Sequence, residues 1–259
     1  MKAAKSIDFA RTVGDYAEHR AAYPRELYQR LERFEVGVHQ QKVLDLGTGT
    51  GALARGFAQR GCEVVGVDTS EELLVAARDL DRRAKVAVDY HVAKAERTRM
   101  PSGQFDVVSA GQSWHWFKRG KAAREARRLL VPSGRLVIVH FDWLPLPDTV
   151  AEATEELILR YNHRWALARS TGLYPQWLTD VRVAGFGEVE TFSFDVDVPY
   201  SHRGWRGRVR ASSGVGASMS RGRVVRFDEK LRLLLLDRFP DDPLVVSHRV
   251  WAVICRSSA

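Results

Sequence analysis

The sequence predicts a doubly wound α/β fold: a seven-stranded, mostly parallel sheet with helical cap insertions. Three observations lead there. Short apolar runs alternate with helix-patterned segments between residues 42 and 142. The first run ends in a glycine-rich turn that opens a helix. The spacing between runs leaves room for crossover helices, which parallel strands require. The composition agrees: 259 residues, 45% hydrophobic and 28% charged, are globular proportions and enough for one large α/β domain.

In chain order, residues 1–40 read as a polar-amphipathic helical lead-in broken at Tyr23-Pro24. Lys42 to Leu46 is a buried strand, Ala52 to Arg60 a helix stopped by Gly61, and Glu63 to Val67 a second strand. Ser70, followed by Glu71-Glu72, caps a helix running to about Leu80. Strands follow at Ala87 to Val92 and Phe105 to Ser109; a helix spans Lys121 to Leu130 and ends at Pro132-Ser133-Gly134, and Arg135 to Phe141 is the fifth strand. Asp148 to about Ala168 reads as one helix, Gly187 to Val198 and His248 to Arg256 as the last two strands, and Asp228 to Phe239 as a helical piece between them. This gives a single domain over 1–259: lead-in 1–40, cofactor-binding half 42–142, cap and substrate-side insertions 143–245, and a final strand 247–256. A long excursion such as 200–245 points to a substrate lid.

Aliphatic runs such as Leu233 to Leu236 fall far short of the roughly 20 residues of a membrane span. Lys2, Lys5, Asp8 and Arg11 leave no apolar signal-peptide region, so a soluble, cytoplasmic protein without membrane partners is expected. Cys62 and Cys255, far apart and each in an apolar run, read as buried small hydrophobes, and no metal-ligand spacing occurs. The net charge is +8, and Arg203, Arg206, Arg208, Arg210, Arg221, Arg223 and Arg226 crowd into residues 199–227 without one acid. That stretch suits an anionic substrate or RNA, or is simply a solvated face.

The strongest signal is Asp45-Leu46-Gly47-Thr48-Gly49-Thr50-Gly51. Glycines there allow positive φ and close backbone approach, and the following helix start offers free N–H groups. Gly47, Gly49 and Ala52 also satisfy the dinucleotide pattern, with Asp68 21 residues on, so the glycines alone leave two ligands open. Asp45, in a spot dinucleotide folds usually leave apolar, and the long helical lead-in favour the other one.

With Val65-Gly66-Val67-Asp68, Ala95-Glu96, Phe105-Asp106-Val107-Val108, Leu129 to Leu136, Trp114-His115-Trp116-Phe117 and the lead-in Tyr16 to Pro24, that loop resembles the class I S-adenosylmethionine-dependent methyltransferases, in the type 11 group that includes trans-aconitate methyltransferase-like enzymes. The resemblance covers roughly residues 8–142. It implies a Rossmann-like methyltransferase fold and S-adenosyl-L-methionine as cofactor. The implied cofactor contacts are Tyr16, Arg20, Asp45, Gly47, Thr48, Gly49, Gly51, Asp68, Thr69, Ala95, Glu96, Gly111 and Gln112. Asp68 would take the ribose hydroxyls, a vicinal diol suiting two carboxylate oxygens. Lys94 stands where many members carry the acid that accepts from adenine; either Glu96 substitutes or the contact is absent.

Methyl transfer from a sulfonium is an in-line displacement in which the protein aligns the partners and excludes water. His115, after the fourth strand, is the candidate base or positioning residue; the alternative is a structural ring packed between Trp114 and Trp116. Trp114, Trp116, His140, Asp142, His202, Trp205 and Arg206 are the candidate substrate contacts, with Trp205 alternatively a packing anchor. The expected function is methylation of a small-molecule acceptor, a secondary metabolite or organic acid. The alternatives are nucleic-acid methylation, which lacks a [DN]-P-P-[YF] motif, and cofactor binding without turnover. Acceptor identity and oligomeric state stay open.

Overall fold

A computed structural model describes residues 8–257; Lys2, Lys5 and the first seven positions of the expected lead-in lie outside it. In chain order the elements are α1 Val13–His19, α2 Arg25–Glu32, β1 Lys42–Leu46, α3 Ala52–Ala58, β2 Glu63–Asp68, α4 Glu71–Ala84, β3 Asp89–Val92 and β4 Phe105–Gly111. Then follow α5 Arg119–Leu129, β5 Leu130–Trp143, α6 Val150–Tyr161, α7 Gln176–Val183, β6 Phe186–Tyr200, α8 His202–Arg210, α9 Arg221–Arg238 and β7 Leu244–Ser257. Single 3-10 turns precede α1 and α5.

The strands form one seven-stranded sheet in the order β3-β2-β1-β4-β5-β7-β6. Pairs β1–β2, β1–β4, β2–β3 and β4–β5 are parallel, Lys42 lying opposite Glu63 and Val43 opposite Val107. The doubly wound Rossmann-like methyltransferase fold is therefore present. Strand order reverses between β1 and β4, and the crevice at the carboxyl ends of such a pair is where open α/β sheets take ligands. The final strand lies one place in from the edge, between β5 and β6.

Contacts divide the chain into two compact units, residues 1–21, 142–172 and 195–249 in one, and 22–141, 173–194 and 250–259 in the other. The second unit holds β1 to β4 and most of β5. Its core joins Leu44, Leu46, Val108, Ile138, Trp114 and Trp177, all buried. Its helices start as expected: the Ser70 hydroxyl accepts from Leu73 N–H at 3.3 Å, and Lys85 in the left-handed region ends α4. Cys62 and Cys255 are both buried, and burial pushes their thiols up, Cys62 to about 11.

Several boundaries differ from expectation, α9 beginning at Arg221 instead of Asp228 and β7 at Leu244 instead of His248, and two others show their physical reason. β5 begins at Leu130, not Arg135, and runs through Pro132-Ser133-Gly134. Phe105 pairs with Leu130 but Val107 with Arg135, so the extra residues bulge opposite Asp106, with Ser133 at φ 65°. α6 covers Val150–Tyr161 only, not Asp148 to Ala168. Asn162 turns the chain aside by donating to Gly214 O at 3.1 Å and Ser218 Oγ at 3.2 Å, and Trp165 Nε1 donates to Ser213 Oγ at 3.0 Å. The Glu155 carboxylate holds the returning chain, accepting from Trp143 Nε1 at 2.7 Å and from Arg169 N–H at 2.6 Å.

The other unit is built around α6, α8 and α9, with Trp143, Ile158, Trp205, Val209, Phe227 and Leu231 in its core. The acid-free arginine run finds its acids elsewhere in sequence. Arg206 pairs with Asp228, and Arg210 with both Asp228 and Asp15.

Candidate functional site: the glycine loop and its surroundings

In the larger unit, β1 delivers Asp45 into full burial (1% exposed), where it accepts from Ser109 Oγ at the matching level of β4, 2.8 Å away. Burial pushes its carboxyl up to about 6, with the Asp68 charge adding to the effect. The chain then makes three left-handed turns, Gly47, Gly49 and Gly51, at φ 63°, 57° and 75°. A side chain at Gly47 would stand 2.7 Å from Ser113 Cβ and 2.9 Å from the Phe117 ring, so the loop is packed as well as turned. Thr48 N–H donates to Val67 O at 2.9 Å, tying the loop to β2.

Asp68 ends β2, half-buried. One of its oxygens accepts from Gly49 N–H at 2.9 Å, the other from Ser70 N–H at 3.0 Å. The carboxylate expected at the ribose thus also fixes the loop and the approach to α4. Thr69 is exposed beside it. Farther on, Ala95 is buried, while Glu96 accepts from Lys118 N–H at 2.7 Å and so serves the start of α5.

At the end of β4, a Cβ on Gly111 would meet Tyr23 Oη at 2.8 Å, and Gln112 (φ 52°) donates to Phe141 O. Ser113 Oγ donates to Leu46 O at 2.8 Å, linking this segment to β1. Trp114 is fully buried in the core; Trp116 is 41% exposed. The His115 ring lies 4.3 Å from Trp116 and 5.2 Å from His140. His140, buried at the end of β5, packs at 4.5 Å against Tyr174 and 4.7 Å against Trp177, which stack on each other. The fold thus assembles two imidazoles and an aromatic wall from three separate segments. Tyr174 and Trp177 carry no sequence signal of this, lying in a stretch to which the sequence pattern assigns no element.

In the smaller unit, Arg20 covers the Tyr16 ring at 4.5 Å. His202 Nε2 bonds the carbonyls of Phe239 (2.9 Å) and Asp241 (3.0 Å). Trp205 is fully buried, its Nε1 donating to Thr154 Oγ1 at 3.0 Å, which makes it the packing anchor. Arg206 is held by Asp228. Asp142 is half-buried on β5 beside Trp143. Arg203 pairs with Glu18, so the run does not form one continuous cationic face.

Comparison with known proteins gives this arrangement a family. The methyltransferase domain family matches residues 44–138. An uncharacterized methyltransferase of Mycobacterium tuberculosis is 35% identical over 134 residues, 52% of each chain, so this chain spans about half of that relative's length. The ubiquinone/menaquinone biosynthesis C-methyltransferase UbiE of Bordetella parapertussis is 32% identical over 187 residues, 64% of this chain and 70% of that protein. The chain belongs to the class I S-adenosylmethionine-dependent methyltransferases. S-adenosylmethionine is its cofactor.

Solved structures share the fold at lower identity. The YcgJ protein of Bacillus subtilis superposes with TM-score 0.59 at 18% identity, covering 91% of this chain and all of that one. Phosphoethanolamine N-methyltransferase 2 of Haemonchus contortus, in complex with phosphomonomethylethanolamine and S-adenosylhomocysteine, gives 0.57 at 20% identity, covering 96% of this chain and 58% of that one.

The residues present suit this methyltransferase cofactor. Each Asp68 oxygen accepts one backbone N–H and retains a lone pair, leaving two acceptors for a vicinal diol. Three positive-φ glycines give the close, side-chain-free backbone that the methionine end needs.

Proposed function

We propose that this protein moves the methyl group of S-adenosylmethionine to a small-molecule acceptor by in-line displacement, working in the cytoplasm. The observation that carries the reading is the glycine loop at the β1/β4 reversal, braced by the buried Asp45 and tied to Asp68. UbiE, named for ubiquinone and menaquinone biosynthesis, and the phosphoethanolamine enzyme, complexed with phosphomonomethylethanolamine, are named for small-molecule acceptors and support the same class here.

The bound cofactor supplies an already activated methyl electrophile, and the chain's own residues bind, orient and keep water out. Asp68 takes the ribose diol. The backbone of Gly47, Thr48, Gly49 and Gly51, with Gly111 and Gln112, lines the methionine end. Thr69 and Ala95 flank adenine, and Glu96, engaged at Lys118 N–H, leaves the ring edge to backbone groups. His115 holds or moves the acceptor's proton, its ring kept in place by Trp116 and His140.

Calorimetric titration with S-adenosylhomocysteine tests the assignment: wild type binds, and Asp68→Asn loses about 10- to 100-fold, the scale of a hydrogen bond to a charged group. Binding of NAD in place of S-adenosylhomocysteine would sink the reading. His115→Ala retaining full turnover would remove the base role and leave the cofactor assignment standing.

A further inference from the structure

Arg208 is the exception among the arginines of α8. Arg203, Arg206 and Arg210 each meet a carboxylate. Arg208 is only 7% exposed, yet among the described residues it forms no ion pair. A guanidinium cannot escape burial by losing its proton, so its charge must be answered by its surroundings.

Those surroundings are unusual. The Trp143 ring lies 4.6 Å from the guanidinium carbon, and Tyr200 is among its near neighbours. Tyr200 in turn faces His248 Nε2 at 3.3 Å, and His248 Nδ1 faces Val246 O at 2.9 Å, so Nδ1 carries the proton and Nε2 accepts. Tyr16, Arg20 and Asp142 complete the electrostatic neighbourhood. A second cation, Arg20, weighs more heavily on Arg208 than does the single acid Asp142. The cluster is positive, and burial holds its histidine neutral.

We propose that Arg208, backed by the Trp143 ring and flanked by Tyr200 and His248, forms an oxyanion-binding subsite for a carboxylate or phosphate group. The subsite stands on the geometry of this unit alone. A planar fork beside an aromatic face suits two-oxygen recognition, which a lysine at this place would not reproduce.

The experiment is calorimetric titration of the full chain with benzoate, citrate and inorganic phosphate at constant ionic strength, with benzamide as the neutral control. S-adenosylhomocysteine is titrated in parallel. Wild type binds at least one anion saturably and benzamide not at all, the best anion marking carboxylate or phosphate as the natural group. Arg208→Gln weakens that anion by ~30-fold, Arg208→Lys by nearly as much, and both keep S-adenosylhomocysteine affinity within about twofold. No saturable anion binding by wild type overturns the proposal whether or not the variants fold. Equal anion affinity in Arg208→Lys overturns the fork, and a loss that falls on S-adenosylhomocysteine gives Arg208 to the cofactor's own carboxylate and overturns it too. Failure of wild type to bind S-adenosylhomocysteine strikes the methyl-transfer reading and leaves the anion result intact.

Discussion

Asp45 should make this fold less stable as pH rises, opposite to the usual behaviour of a paired carboxylate. It is fully buried with its carboxyl pushed up to about 6 from 3.8, chiefly by loss of water. Below pH 3.8 the group is protonated in both folded and unfolded chains and costs nothing. Between 3.8 and 6 the unfolded chain ionises first, so folding weakens; above 6 the full difference, about 3 kcal/mol, has been lost. Asp45→Asn keeps the volume and an oxygen for the Ser109 hydroxyl but cannot ionise. Urea unfolding followed by tryptophan fluorescence should therefore find the two proteins alike near pH 4. The variant should pull ahead by up to about 3 kcal/mol near pH 8, or roughly 5–10 °C in melting temperature. Subtracting the two proteins cancels every other titrating group. A difference constant from pH 4 to pH 8 would refute the assignment of a raised carboxyl to this burial. The natural sequence retains the acid despite that cost, as sites built for ligands do, so the same variant should bind S-adenosylhomocysteine more weakly.

His248 gives the mirror image. Burial first, then Arg208 and Arg20, push it down to about 4 from 6.5, so its contribution is present above pH 6.5 and is lost as pH falls through 4. His248→Gln should remove about 3 kcal/mol of that acid sensitivity, read from denaturation midpoints between pH 4 and 7. Gly47→Ala combines a positive-φ penalty with contacts of 2.7 Å to Ser113 and 2.9 Å to Phe117. It should cost about 2–4 kcal/mol by urea denaturation, and an unchanged midpoint would mean that the loop is not packed as described.

The features legible in the sequence are those whose causes are local. Ser70 caps its helix through a hydroxyl three residues from its partner, and the glycines of the β1 loop announce their own backbone angles. Where causes are distant, the pattern fails. Nothing between Tyr161 and Ala168 breaks a helix; Asn162 and Trp165 do so through Gly214, Ser218 and Ser213, some 50 positions away. Pro132-Ser133-Gly134 reads as a turn because its composition is that of a turn, yet the register beside Phe105 absorbs it within a strand. The arginine run is opaque for the same reason. Arg206 and Arg208 are alike in sequence, and only the fold shows that Asp228 takes one while, among the described residues, the other forms no ion pair. Likewise His115 and His140 become neighbours only through the pairing of β4 with β5.

The double contact between Asp15 and Arg210, at 2.6 and 2.9 Å, has a practical corollary. It fastens the opening stretch of the polypeptide to a helix nearly 200 positions downstream, and Arg210 in turn clasps Asp228. Anyone shortening the protein to its recognisable family segment, or fusing a bulky tag next to residue 8, would pull one end of a three-way clasp. Residues 8–21 and the helices α8 and α9 are in this sense a single part, and they should be kept or removed together.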